Sequence, residues 1–267
     1  MPWWGKLIGG AFGFMLGGPL GALLGATLGH NLDKGMATLA SRDGPEPGDR
    51  ERVQTAFFTA TFSVMGHVAK VDGRVSEREI AMAEALMAQM ELSPDMRRTA
   101  IRLFSEGKGA RFQLDEVLEQ FRRECHRRQT LIQMFMEIQL QAAYADGALN
   151  AVEERLLLHI CERLGFSTFV FRRLEQLVRL QHQFAGAGRG PAMEPKGPTL
   201  DDAYAVLGVE SRATDAEVKR AYRRLLSQHH PDKLVAKGLP EEMMKLAAQK
   251  THEIRQAYEL VKQARGM

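Results

Sequence analysis

Apolar side chains recur at three- and four-residue steps along most of the chain, most clearly between residues 52 and 184. That spacing places them on one face of an α-helix, whereas the alternation typical of a half-buried strand is absent from this region. The pattern predicts an all-α domain over residues 52–184. Two clear series are Val53, Phe57, Ala60, Val64, Val68, Val71 and Leu131, Phe135, Ile138, Ala142.

A different pattern occupies the amino-terminal end. Residues 7–29 include no charged side chain, and this run of 23 residues is long enough to cross a bilayer as a helix. Two tryptophans precede it, which is typical of the headgroup level of a membrane. We expect a single transmembrane helix within residues 1–34. The alternatives are a soluble glycine-rich loop and a membrane-inserting hairpin broken near Gly18-Pro19, and a signal peptide fits less well because no clean cleavage site ends the run.

Glycine occupies every fourth position from residue 5 to residue 29. On a helix this spacing forms a flat ridge that lets a second helix backbone approach closely. We therefore expect the lipid bilayer and a second copy of the chain as partners of this segment, with a homodimer formed through the transmembrane helix. The glycines expected at the packing face are Gly9, Gly13, Gly17, Gly21 and Gly25.

Basic residues are distributed unequally around the uncharged run. Only Lys6 precedes it, whereas Lys34, Arg42, Arg50 and Arg52 follow it. An excess of lysine and arginine marks the cytoplasmic side of a membrane span. The distribution predicts a single-pass protein with a short amino terminus outside and the carboxy-terminal body in the cytoplasm.

Two segments rich in glycine and proline divide the rest of the chain. Residues 35–51 form the first linker, and half of residues 185–198 are glycine or proline, a composition typical of flexible linkers. The boundaries separate the amino-terminal segment 1–34, the helical domain 52–184 and a terminal module 199–267. We expect the terminal module to move independently of the domain before it.

Composition narrows the range of functions. The net charge of +3 gives no whole-chain argument for nucleic-acid binding, so no nucleic-acid partner is expected. Cys125 and Cys161 have no CxxC partner, which excludes a disulfide framework or a cysteine zinc cluster. No nucleophile, phosphate-binding loop or other catalytic constellation appears, so we expect neither an enzyme nor a cofactor.

The helical domain contains an internal repeat. Residues 71–79 align with residues 145–153, and each copy places an Asp-Gly pair between two apolar helices. In this feature residues 52–184 resemble the TerB-like helical domain, which carries such acidic loops in pairs. The resemblance invites a site for a hard cation such as Ca²⁺ or Mg²⁺, whose ligands are carboxylate oxygens. The candidate ligands are Asp72, Glu79, Asp146 and Glu153.

Helix capping offers a simpler explanation of the two glutamates. Ser76 with Glu79 has the spacing of a capping box, and Asn150 with Glu153 repeats it. Asp-Gly is in addition an ordinary turn pair. Capping therefore accounts for these residues without an ion, and no metal site is favoured.

The terminal module predicts three helices. The first spans residues 201–207, and a capping box at residues 214–217 opens the second, which is apolar on one side and basic on the other. Pro231 ends the second helix, because proline lacks an N–H and disfavours helical geometry in the residue before it. A third helix, from about residue 240 to 264, pairs with the second in antiparallel fashion. The turn His230-Pro231-Asp232 then lies between them.

These segments resemble the J domain, a co-chaperone module, in order and spacing. The matching stretches are residues 202–209, 218–225, 229–233 and 254–260, and the resemblance covers residues 199–267. It implies a DnaK-type chaperone as partner, whose ATP hydrolysis the module triggers.

The resemblance also implies roles for individual residues. His230 and Asp232 are expected to contact the ATPase near its interdomain linker, while Pro231 holds the shape of the turn. A basic helix face is expected to dock on an acidic surface of the ATPase, where charge steers association. The remaining residues assigned to chaperone binding are Lys219, Arg220, Arg223, Arg224 and Lys233.

Each of these features has a simpler interpretation when taken alone. A basic helix face is usually only solvated, and His230 near a helix carboxy terminus favours the helix macrodipole. His229, His230 and Asp232 also offer the residue types of an acid–base or metal site. The ordered set of motifs, rather than the tripeptide, favours the J domain.

Together the parts resemble the DjlA type of membrane-anchored J-protein. The resemblance implies a co-chaperone of the bacterial inner membrane that activates a partner ATPase and is not itself an enzyme. The sequence has neither a long Gly/Phe-rich segment nor a cysteine zinc domain, so we expect the central domain to select the client or partner. The alternative is an ion- or ligand-sensing TerB-like adaptor with the J domain as its output.

Overall fold

The computed structural model of the protein describes residues 17–29, 48–126, 128–186, 199–240 and 243–267. Within these ranges the chain forms α-helices and one 3-10 turn and no β-strand, so the predicted all-α class is confirmed there. The helices are α1 (Gly18–Gly29), α2 (Asp49–Lys70), α3 (Glu77–Gln89), α4 (Pro94–Gly107), α5 (Leu114–Glu124), α6 (Gln129–Ala143), α7 (Ala151–Arg163), α8 (Thr168–Gly186), α9 (Leu200–Leu207), α10 (Asp215–His229), α11 (Pro231–Ala236) and α12 (Met244–Arg265), with the 3-10 turn at Tyr144–Asp146.

Helix α2 runs through the middle of the central domain and is buried along most of its length. It lies so close to α4 that a Cβ at Gly66 would overlap the carbonyl group of Phe104, and a Cβ at Gly107 would overlap that of Ser63. Glycine at both positions therefore permits backbone contact between the two helices. Aromatic side chains of α2, all at most 1% exposed, fill the surrounding core: Phe57, Phe58 and Phe62.

The amino-terminal segment differs from the continuous helix predicted over residues 7–29. Helix α1 begins only at Gly18, because Gly17 and Gly18 have φ values of 54° and 60°, a left-handed geometry that interrupts a right-handed helix. The expectation of one unbroken helix is therefore wrong at this point, and the break falls where the hairpin alternative placed it.

The side chains of α1 pack against the central domain. Leu20 and Leu24 are fully buried in its core. The Gln120 side chain accepts a hydrogen bond from the backbone N–H of Leu20 at 2.8 Å and donates one to the carbonyl oxygen of Gly17 at 2.9 Å. The first bond satisfies the N–H of Leu20, which lies in the first turn of α1 and has no partner within the helix, whereas the carbonyl oxygen of Gly17 also accepts from the N–H of Gly21 at 3.2 Å. Among the described helices, none combines the length and the apolarity required to cross a membrane.

Helices α9 to α12 form the terminal module. Thr251 near the start of α12 bonds to the end of α10, and Arg265 at its other end bonds to Asp215 at the start of α10, so the two helices are antiparallel as predicted. Tyr222 and Tyr258 stack between them, with ring centroids 4.0 Å apart. The module has its own small core, formed by Ala203, Tyr204, Leu207, Val218, Ile254, Ala257 and Val261.

The module is packed against the central domain, in contrast to the expected independent movement. Its side chains Leu234, Leu239, Met243 and Ala247 are fully buried and belong to the same core cluster as helix α2. Burial of these apolar groups favours the packed arrangement even though the segment before the module is rich in glycine and proline.

Candidate functional site

Helix α10 begins with the predicted capping box. The N–H of Glu217 donates to the Thr214 hydroxyl at 3.3 Å, and the N–H of Thr214 donates to the Glu217 carboxylate at 2.7 Å. Hydrogen bonds from the backbone and side chain of Thr214 lower the pKa of Glu217. The box fixes where α10 starts and hence which residues face outward one turn later.

The outward face of α10 is basic, and its inward face is apolar. Val218 and Ala221 are buried against the module's core. Residues four apart on a helix share a face, so two pairs of cations form a patch along the exposed side. The patch consists of Lys219, Arg220, Arg223 and Arg224, all exposed.

The turn after α10 presents the two polar residues expected to act. His230 has extended geometry, with φ −62° and ψ 125°, and Pro231 is the first residue of α11. The N–H of Asp232 donates to Nδ1 of His230 at 3.3 Å, so Nδ1 is an acceptor and the neutral ring carries its proton on Nε2. The side chain of His230 is 43% exposed and that of Asp232 is 81% exposed. The turn therefore offers an imidazole and a carboxylate to a partner.

Two further residues belong to this surface. Lys233 is exposed and donates to the Ser227 hydroxyl at 2.6 Å, which connects α11 to the last turn of α10. Arg173 of α8 was missed by sequence reasoning because it lies outside the module. It approaches so closely that a Cβ at Gly208 would overlap its guanidinium. Burial lowers the pKa of Arg173, and the nearby charge of Arg224 lowers it further.

His229 contrasts with the exposed residues beside it. It is only 2% exposed, and its Nδ1 has no hydrogen-bond partner among the described residues. Its carbonyl oxygen accepts a hydrogen bond from the Thr251 hydroxyl at 3.0 Å. Burial lowers the pKa of His229, and the negative charge of Glu137 opposes that effect in part. His229 therefore packs beneath the turn and is not part of the exposed surface of the turn.

The acidic repeats lie together in the central domain. Both capping boxes are present, with the Ser76 N–H donating to Glu79 at 2.7 Å and the Asn150 N–H donating to Glu153 at 2.9 Å, so the capping interpretation is confirmed. Burial raises the pKa of Glu79 and of Glu153, and nearby carboxylates, Asp72 and Asp146 among them, raise both further. Among the described residues, no group of three or more His, Cys, Asp or Glu side chains is arranged to hold a metal ion.

Comparison with known proteins agrees with this arrangement. The family model described as "DnaJ domain" matches residues 202–265, and "Tellurite resistance protein TerB" matches residues 58–176. A third model, "Co-chaperone DjlA transmembrane domain", matches residues 1–41. "Co-chaperone protein DjlA" of Coxiella burnetii is 46% identical over the whole of both chains. The chain belongs to the DjlA co-chaperone family.

Other members of the DjlA family match equally well along the chain. The proteins of the same name from Salmonella typhimurium and Escherichia coli K12 are 46% and 45% identical, with 100% of this chain and 99% of each relative covered. No solved structure matches the chain significantly. The predicted resemblance to a DjlA-type co-chaperone with a J domain and a TerB-like domain is confirmed.

The match over residues 1–41 indicates a membrane anchor at the amino-terminal end. In the described part of this segment, the glycines differ in how buried they are. Gly21 is buried, whereas Gly17 and Gly25 are exposed. Gly9 and Gly13 lie outside the described residues, so their place in a helix–helix contact stays a prediction.

Proposed function

We propose that the protein stimulates ATP hydrolysis by a DnaK-type chaperone, with the central domain selecting the client or partner. The observation that carries this proposal is the position of the basic patch on α10. The patch leads directly to the turn in which His230 and Asp232 are exposed. A partner can thus contact both at once, without any change in the module.

The basic patch supplies the first contact. Four exposed cations on one side of α10 attract an acidic surface, which raises the rate of encounter and weakens with added salt. The turn supplies the specific contact, because Pro231 restricts the backbone and His230 accepts a hydrogen bond from Asp232. A fixed imidazole and carboxylate bind one conformation of the ATPase better than another and so shift its equilibrium. The phosphoryl chemistry is carried out by the partner.

The place of action follows from the anchor. The excess of basic residues after the uncharged run favours a cytoplasmic body beneath the bacterial inner membrane, with a short amino terminus outside. Anchorage concentrates the J domain at the membrane surface, where it recruits the ATPase. Self-association through the glycine series Gly9, Gly13, Gly17, Gly21 and Gly25, of which Gly17 and Gly25 are exposed, is part of the proposal.

Single-turnover ATP hydrolysis by a DnaK-type chaperone tests the proposal, with the full chain in lipid vesicles as activator. Wild type should accelerate hydrolysis, and His230→Gln or Asp232→Asn should remove the acceleration. His252→Gln is a matched control, because His252 is an exposed histidine on α12 that is not part of the turn. Asp201→Asn is the second control, since Asp201 and Asp232 both lie in the first turn of a helix. Absence of stimulation by wild type, or equal stimulation by all variants, would contradict the proposal.

A second candidate is an ion- or ligand-sensing adaptor with the J domain as output. Burial raises the pKa of Glu79 and of Glu153, and the carboxylates of Asp72 and Asp146 lie near enough to raise both further; this cluster of carboxylates is the observation that favours it. Capping alone explains the same residues, so the co-chaperone proposal takes precedence. Calorimetric titration with Ca²⁺ and Mg²⁺ separates the two, because no binding heat at millimolar ion would remove the ion-sensing candidate.

A further inference from the structure

The J domain is joined to the central domain by a surface that its chaperone-docking residues do not use. We call this surface the seam. On the side of the J domain it is formed by Leu234, Leu239, Met243, Ala247 and Lys250. On the side of the central domain it is formed by Val53, Gln54, Gln89, Glu91 and Glu137. Gly238 lies so close to α2 that a Cβ there would be 2.7 Å from Cγ1 of Val53. The Gln54 amide donates to the carbonyl oxygen of Leu239 at 3.4 Å. The seam therefore combines apolar burial with polar contacts from at least two central helices.

An ion pair lies at the seam in a poorly solvated position. Nζ of Lys250 on α12 is 3.3 Å from Oε2 of Glu137 on α6, and their side chains are only 16% and 10% exposed. Burial alone would raise the pKa of Glu137, but Lys250, His229 and a hydrogen bond from Gln133 together outweigh it and the pKa is lowered. Burial alone would likewise lower the pKa of Lys250, and Glu137 raises it. Both groups are therefore charged, and each depends on the other because a buried charge without a partner is strongly unfavourable.

A short chain of contacts connects this pair to the turn. Thr251 follows Lys250 directly, and its hydroxyl shares its one proton between the carbonyl oxygens of His229 at 3.0 Å and Ala247 at 2.9 Å. His229 in turn precedes His230 and lies near enough to Glu137 for the carboxylate to act on its pKa. The Glu137 carboxylate on α6 is thus linked to the backbone of the turn through a few covalent and hydrogen bonds, so a shift of the carboxylate would also shift the turn.

We propose that Glu137 is a positioning residue through which the central domain holds the trigger turn of the J domain. By pairing with Lys250 it fixes the start of α12 and the end of α10, and so sets the direction in which His230 and Asp232 face relative to the central domain. The docked arrangement leaves those two side chains exposed, so docking orients the turn and does not cover it. The consequence for ATPase stimulation rests on the proposed function; the docking itself does not.

Distance measurement on the full chain in lipid vesicles tests the docking without any chaperone. Spin labels go on Arg155→Cys in the central domain and Gln263→Cys in the J domain, both of which are exposed positions. The native Cys125 and Cys161 are buried, which keeps the labels on the introduced sites. Wild type should give one narrow distance distribution by double electron–electron resonance.

Glu137→Gln should add a second, broader distribution, because Lys250 then loses its partner across the seam and keeps only the longer contact to Glu253 on its own helix, 3.9 Å away, so that the docked-to-undocked ratio falls about tenfold or more. The paired reversal Glu137→Lys with Lys250→Glu restores opposite charges and should recover the narrow distribution. Glu259→Gln is the matched control: it removes the carboxylate of an exposed pair on the same helix, 3.4 Å from Lys262, and should leave the distribution unchanged. Circular dichroism confirms that each variant is folded.

A broad distribution in wild type, or a narrow one in folded Glu137→Gln, would overturn the proposal.

Addition of the chaperone then gives a second readout. Glu137→Gln should raise the concentration for half-maximal ATPase stimulation by about threefold to tenfold, with the stimulated rate at saturation retained, because the turn itself is intact. Equal half-maximal concentrations for Glu137→Gln and wild type would overturn the positioning role. Lack of stimulation by wild type would instead count against the proposed function, while the distance results would still decide the docking.

Discussion

Two adjacent histidines show how the two sides of the J domain differ. His230 is 43% exposed in its side chain and faces solvent, whereas His229 is 2% exposed and faces the seam. The backbone of His230 is extended before Pro231, and the two histidine side chains therefore point in different directions. The difference teaches that one turn presents the proposed chaperone-contact residue to solvent and also packs against the central domain. Substitutions on the two sides should therefore have different effects on stability and on activity.

The largest effect on stability is expected at the seam pair. Glu137→Ala should reduce the free energy of unfolding by about 3 kcal/mol, because it leaves the poorly solvated Lys250 ammonium with only its longer contact to Glu253, 3.9 Å away. Urea denaturation followed by circular dichroism measures the change. Glu259→Ala, at an exposed pair on the same helix, should change the free energy of unfolding little in the same measurement. Equal effects of the two variants would show that the seam pair is solvated.

A second large effect is expected from the apolar part of the seam. Leu239 is fully buried at the contact with the central domain. Leu239→Ala should cost about 2–4 kcal/mol, because truncation of a buried leucine removes apolar contacts and leaves a cavity. Differential scanning calorimetry measures the loss. A matched exposed position is Leu200 on α9, 37% exposed, where Leu200→Ala should cost clearly less. A similar loss at both positions would argue against the packed seam.

Acidification should loosen the buried side of the turn and spare the exposed side. Burial holds the pKa of His229 below its usual value of 6.5, so the unfolded chain binds a proton there that the folded chain excludes. Stability is then complete above about pH 6.5 and falls as the pH decreases below it, by at most about 1.4 kcal/mol per pH unit. His67 contributes in the same direction, because burial also lowers its pKa. The difference between wild type and His229→Gln isolates the share of His229; identical pH profiles would contradict this assignment.

The smallest effect on stability is expected on the exposed basic patch. Arg220→Ala should leave the melting temperature within about 2 °C of wild type, because surface substitutions rarely change stability. It should nevertheless weaken chaperone association by about threefold, since it removes one steering charge. Raised salt should weaken wild type in the same direction. Titration of ATPase stimulation at two salt concentrations checks both, and a salt-independent titration would exclude electrostatic docking.

Local patterns predicted the parts of the site that are determined by neighbouring residues. The spacing of Thr214 and Glu217 predicted a cap, and the structure has it. The same holds for both capping boxes of the central domain. Pro231 correctly predicted the end of α10, because its effect on the preceding residue does not depend on tertiary structure.

The seam could not be predicted, because its contacts connect residues distant in the chain. Nothing near Glu137 or Lys250 indicates that the two side chains meet, and the glycine- and proline-rich segment before the J domain favoured independent movement. The break at Gly17 and Gly18 was anticipated only as an alternative, for another reason. An uncharged run predicts an apolar environment, but glycine adopts either sign of φ, so the run alone does not determine whether the helix is continuous.

The most direct test of the central claim compares the two histidines in one assay. Single-turnover ATP hydrolysis by a DnaK-type chaperone is measured with wild type, His230→Gln and His229→Gln of the full chain, alongside their melting temperatures. We predict that His230→Gln loses stimulation with an unchanged melting temperature, whereas His229→Gln melts at a different temperature and retains stimulation at saturating concentration. Stimulation that survives His230→Gln, or a wild type that gives none, would contradict the account.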